Sequence, residues 1–147
     1  MEVNIKQALK MFFSKSSFEM IYFEAFANAL DADATEFNIN ISFNYGELHN
    51  LVVTLSDNGV GFNDVRFGKF SKLFDVEEQS HKGLGRLVYL CYFDKVEVKS
   101  VFDNSKQRVF EFNEAFDKEC TITEIESTLN GSIFRMSGFT GERLGKN

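Results

Sequence analysis

At 147 residues the chain is long enough for one domain with one core, and an apolar content of 44%, with 18 Phe, can fill it. A net charge of −6 gives no overall basic footprint, so bulk electrostatics does not point to nucleic acid. Cys91 and Cys120 are too few for a disulfide scaffold and read as reduced thiols of a cytoplasmic protein; Lys6 and Lys10 interrupt any leader-like apolar run, and no stretch has membrane-spanning length.

Residues 1–15 carry Ile5, Ala8, Leu9, Phe12 and Phe13 at helical spacing. They read as a helix packed across the domain, with a dimer arm as the alternative. Residues 14–17 form a polar break rich in N-cap residues. A second helix is predicted over 18–30, with Met20, Phe23, Ala27 and Leu30 facing the core and Ile21 and Ala25 on the flank. On it Glu24, Asn28 and Asp31 fall at i, i+4 and i+7 and share one face. The plain reading of such a stripe is a solvated surface. Its neighbours are Phe, Ala, Met and Ile, which is why the stripe stands out.

After Asp33 the period changes from 3.6 to 2. Phe37, Ile39, Ile41 and Phe43 alternate with polar residues and predict a strand with one wet face. A hairpin turn is expected over 44–50, His49 included, followed by a partner strand over 51–56, LVVTLS. That strand ends in Asp57-Asn58-Gly59-Val60-Gly61, a turn. Residues 62–82 form a connection in which Phe67, Phe70 and Phe74 suggest a short amphipathic helix, while 77–80 is polar and His81 belongs to the connection. Gly83-Leu84-Gly85-Arg86 then opens an apolar segment, LVYLCYF, expected to be a buried helix ending near Phe93. Strands are predicted over 95–101, 108–112, 121–125 and 132–136, with turns at Asp103-Asn104 and Asn130-Gly131 and a frayed tail over 141–147.

Helices set against a run of antiparallel strands predict an α+β two-layer sandwich. A Rossmann arrangement is disfavoured, because strands and helices do not alternate and Gly83-Leu84-Gly85 lacks the third glycine of the dinucleotide fingerprint. The Asp57 loop is no EF-hand either, since Gly68 stands where a bidentate Glu is needed.

Three constellations carry chemistry. Asp57 ends a buried strand, so its carboxylate is partly desolvated and wants donors, of which a purine amino group is one. Gly59 and Gly61 let the chain turn tightly and a flat ring approach. Free amides at Gly83, Leu84 and Gly85 before a helix favour phosphate, with Lys82 and Arg86 adding positive charge. Asn28 offers an oxygen suited to Mg²⁺, and Glu24, one turn earlier, can accept a proton from water. Taken singly, an Asp-Gly turn is more often structural, and a glycine pair before a helix serves packing or capping about as often as binding.

Together, in this order, they resemble the GHKL superfamily of gyrase, the ATP-dependent heat-shock chaperone, sensor histidine kinases and MutL. Glu24, Asn28, Asp31 and Ala32 match E-x-x-x-N-x-x-D-A, and Asp33-Ala34-Thr35 is similar to the continuation in the chaperone-like and MutL-like branches. Asp57, Gly59 and Gly61 match D-x-G-x-G, residues 83–85 resemble the glycine-rich lid end, and Gly131-Ser132 approximates the late G-T motif. The resemblance covers about residues 18–137. It implies a Bergerat-type fold over a single domain, 1–147, as the N-terminal part of a longer protein. It implies Glu24 as general base, Asn28 as Mg²⁺ ligand, Asp31 as support, Asp57 on the adenine amino group, Gly61 lining the pocket, 62–82 as ATP lid and Ser132 in place of Thr.

The function expected from the resemblance is Mg-ATP binding with slow hydrolysis, ATP and ADP being the bound partners. ATP would drive closure and homodimerisation and act on an attached or separate effector or transducer domain, which in the family supplies a lysine to the γ-phosphate. Neither nucleic acid nor a membrane is indicated as a partner. The alternatives are the ATP-binding half of a histidine kinase, disfavoured by the Asp31–Thr35 continuation, and a nucleotide-regulated module without significant turnover.

Overall fold

The computed structural model describes residues 17–72, 87–113, 115–126 and 129–140. The N-terminal helix expected over 1–15, Phe74, His81, residues 82–86 and the tail lie outside the described residues.

The order is α1 (Met20–Asp31), β1 (Phe37–Asn44), β2 (Glu47–Asp57), α2 (Asp64–Lys72), α3 (Val88–Tyr92), β3 (Phe93–Phe102), β4 (Lys106–Phe112), β5 (Thr121–Glu124) and β6 (Gly131–Phe139). The strands form one six-stranded sheet in the order β1-β2-β6-β3-β4-β5, with every pair antiparallel. The class is therefore α+β with an antiparallel sheet. The hairpin turn is only Tyr45 and Gly46, so β2 starts at Glu47 and His49 is a strand residue, not a turn residue. The helix begins at Met20 without a side-chain cap, and the Ser17 carbonyl accepts the Met20 N–H at 3.0 Å.

Register explains the core. Residues opposed across antiparallel strands project on the same face. Ile41, Val53, Met136, Val96 and Phe112 form one such row across five strands. Ile39, Leu55, Phe134, Val98 and Phe110 form the next. Except for the β1 residues at the end of the strand order, these side chains are buried. All five residues of α3 are buried over this face, and Tyr89 packs on Phe112 and Phe134. From α2, Phe70 is fully buried and meets Phe110 at 5.3 Å and Phe112 at 5.0 Å between ring centroids. Edge-to-face and tilted ring pairs of this kind add to what area burial provides.

Helix α1 is turned the other way round from the sequence expectation. Its buried residues are Ile21, Ala25 and Ala29, whereas Met20, Phe23, Ala27 and Leu30 are exposed. Small residues at i and i+4 let the helix approach the layer beneath it closely, and a stripe of Phe and Leu at that position would hold it off. Phe26 and Phe37 meet at 5.8 Å on the outside, next to the exposed Ile39, Ile41 and Phe43 of β1. Glu24 and Asn28 consequently flank the inward face and are half-buried. Among the described residues, no helix is long and apolar enough to cross a membrane.

Candidate functional site

Beyond the two apolar rows the same face of the sheet carries a third, and it is polar. Asp57 on β2 opposes Ser132 on β6, Ser132 opposes Ser100 on β3, and Ser100 opposes Arg108 on β4. Ser100, Ser132 and Arg108 are all buried. Polar groups removed from water need partners, and here the chain leaving β2 supplies them. The Phe62 N–H donates to Ser100 Oγ at 2.6 Å, and the Phe62 carbonyl accepts from Arg108 Nε at 3.0 Å. Ser100 Oγ lies 2.8 Å from Ser132 Oγ. The backbone at Phe62 is thus laid along the polar row.

The turn between Asp57 and Phe62 is fixed at both ends. Asp57 Oδ1 accepts the Gly59 N–H at 2.8 Å. Gly61 has φ +80°, and a Cβ there would collide with the Val101 carbonyl oxygen, so only glycine fits. The Val60 N–H donates to the Ala32 carbonyl at 2.9 Å, which ties this turn to the end of α1. Asn58 braces the same junction: its Oδ1 accepts the Thr35 and Glu36 N–H groups at 2.8 and 2.9 Å, and its Nδ2 donates to Thr35 Oγ1 at 2.8 Å. The two sequence motifs, Glu24–Ala32 and Asp57–Gly61, are one physical unit.

Burial pushes the Asp57 carboxyl above the ordinary aspartate value, opposed by the Gly59 amide and the positive charge of Arg66. Arg66, on α2, donates from Nη1 to the Asp31 carbonyl at 3.2 Å, while its buried Nε has no hydrogen-bond partner among the described residues. On α1, Asn28 Nδ2 donates weakly to Glu24 Oε1 at 3.5 Å. The Asp31 side chain is exposed, and what the described contacts use is its carbonyl. Glu24, Asn28, Asp57, Gly59, Gly61 and Ser132 therefore lie on elements that are directly joined. Lys82, Gly83, Leu84, Gly85 and Arg86 lie outside the described residues.

Among the described residues no group of three or more His, Cys, Asp or Glu side chains is arranged to hold a metal. A single amide oxygen such as that of Asn28 fits the Mg²⁺ mode in which phosphates and waters complete the shell. An open cavity of about 500 Å³ lies elsewhere, between β4 and the segment before β5, and is lined by Val109, Glu111, Phe116 and Cys120 among others. It contains none of the polar-row carboxylates or hydroxyls and no Glu24 or Asn28.

Sequence reasoning did not single out Ser100, Arg108, Asn58 or Arg66. Two of them left a signal. Ser100 follows Val96 and Val98 at the buried phase of β3, and Arg108 precedes Phe110 and Phe112 at the buried phase of β4. A polar residue at the apolar parity of a strand marks a buried polar contact. No protein-family model matches this sequence, and no curated protein is significantly similar to it.

Proposed function

We propose that this chain is a GHKL-type ATP-binding domain with a Bergerat-type fold, closer to the chaperone-like and MutL-like branches, that binds Mg-ATP and hydrolyses it slowly. The observation that carries the reading is the conjunction of an acceptor carboxylate, Asp57, with the Ser132 hydroxyl across from it, on a turn bonded to the helix that bears Glu24 and Asn28. Asp57 accepts from the adenine amino group, Asn28 presents its oxygen to Mg²⁺ beside the phosphates, and Glu24 takes the proton of the attacking water. Mg²⁺ supplies charge neutralisation on the phosphates. By the resemblance, the phosphates would fall to residues 82–86, which lie outside the described residues. Binding acts as a switch for closure, homodimerisation and an attached or separate effector.

Calorimetry with Mg-ATP tests the binding reading. The wild type binds, and Asp57→Asn, which puts an amide where the acceptor must be, loses binding at least tenfold. Equal affinities overturn the assignment. Turnover is tested separately by Glu24→Ala, which retains binding and loses hydrolysis by about 10²-fold or more. Equal rates leave a nucleotide-regulated module without useful turnover.

A further inference from the structure

We infer that Ser100 is a positioning residue that fixes the direction of the Ser132 hydroxyl and thereby the hydrogen-bond polarity of the base site. The inference rests on the nucleotide reading of that site. Ser100 Oγ already receives the Phe62 N–H at 2.6 Å, and its side chain is fully buried. A hydroxyl has one proton to give. Among the described residues the acceptor in reach of Ser100 Oγ is Ser132 Oγ at 2.8 Å; because Ser100 is shut off from water while Ser132 keeps 5% exposure, we assign the donor role to Ser100, since the reverse arrangement would leave its proton in the core. Ser132 is then an acceptor toward Ser100, and its own proton has no acceptor among the described residues. It is 5% exposed and stands directly opposite Asp57.

The consequence is an ordered pair, Asp57 accepting and Ser132 donating. An adenine edge offers an amino donor beside a ring-nitrogen acceptor and matches that order, directly or through one water. A guanine edge offers a carbonyl beside an N–H and opposes it at both positions, setting oxygen against carboxylate. Ser100 touches neither the base nor the phosphates. It acts through Ser132, and the amide of Phe62 holds it in its role.

The test is the ratio of Mg-ATP to Mg-GTP affinity across a double-mutant cycle. Ser100→Ala lets the Ser132 hydroxyl rotate, and the preference for ATP falls about fivefold. Ser132→Ala lowers it by a similar factor, and the double variant is no worse than Ser132→Ala alone. Ser100→Cys, close in volume and a weak donor, gives an intermediate ratio and serves should Ser100→Ala fail to fold. Without nucleotide, Ser100→Ala speeds hydrogen exchange at the Phe62 amide. A ratio unchanged within twofold, or losses that multiply in the double variant, overturns the positioning role. A wild type that binds ATP and GTP equally overturns the polarity argument, and one that binds neither overturns the nucleotide reading beneath it.

Discussion

Gly59 and Ala32 are packed so closely that a Cβ on Gly59 would lie 2.6 Å from the Ala32 Cβ and 2.7 Å from the Ala32 carbonyl oxygen. That oxygen accepts the Val60 N–H, so neither side is free to move without breaking the bond. Gly59→Ala therefore forces the end of α1 away from the β2 turn. The expected cost is about 2–3 kcal/mol in denaturant unfolding, with weaker nucleotide binding in proportion. Gly61→Ala costs at least as much, since it adds backbone strain at φ +80° to a collision with Val101. A change below about 0.5 kcal/mol in either variant would mean that the turn is not held as described.

Arg108 separates buried from exposed electrostatics. Its side chain is 4% exposed and that of its ion-pair partner Asp64 is 89% exposed. The guanidinium also donates to the Phe62 carbonyl and to Cys120 Sγ, and stacks on Phe67 at 4.4 Å. Arg108→Ala removes that packing and orphans a buried carbonyl, at about 2–3 kcal/mol. Asp64→Ala costs less, about 1 kcal/mol, because water can take the place of the exposed carboxylate at the outer edge of the guanidinium. Urea unfolding of the two variants checks the contrast, and similar losses would assign the stability to the ion pair instead.

The raised carboxyl of Asp57 has a definite sign in stability. Its native proton affinity exceeds that of the unfolded chain, so the folded state gains nothing from ionisation here. Below the unfolded value both states are protonated and the group is neutral in effect. As pH rises from there through the native value, stability is lost. Asp57→Asn removes that loss. Without nucleotide, the variant melts above the wild type at pH 7, a modest gain because the site is partly solvated, and level with it near pH 3. A variant less stable at pH 7 would show that the carboxylate is held by more than the Gly59 amide and the Arg66 charge. With Mg-ATP the order reverses, since the wild type alone is stabilised by ligand.

Strand identity was legible because the alternation from Phe37 to Phe43, and again in KVEVKSV, has period 2 and little else fits it. Strand ends were less so, since β2 gains Glu47–Asn50 from pairing with β1, a tertiary effect that local composition does not carry. The candidate site was legible where glycine and carboxylate spacing is local, at Glu24 to Ala32 and Asp57 to Gly61. The polar row was not, because Asp57, Ser132, Ser100 and Arg108 come together only through the register of four strands. The face of α1 was misread for a related reason. Hydrophobic size suggested Phe23 and Leu30 inside, while the close packing of the helix selected Ala25 and Ala29.

That inversion makes the last prediction. If the small residues of α1 set its distance from the layer below, enlarging one is worse than removing a large neighbour. Ala29 is 2% exposed and Phe23 is 70% exposed. Ala29→Leu adds methylene groups where the packing has no room and costs about 1–3 kcal/mol. It also displaces Asn28 and Glu24, so nucleotide affinity falls with stability. Phe23→Ser removes an exposed ring and stays within about 0.5 kcal/mol of the wild type. Were the helix seated on its Phe and Leu face, Phe23→Ser would instead open a core cavity and cost about 3–5 kcal/mol, and Ala29→Leu would be nearly silent. Chemical denaturation of the two variants decides between the seatings, and the small-residue seating is the one that leaves Glu24 and Asn28 half-buried at the flank of the inward face.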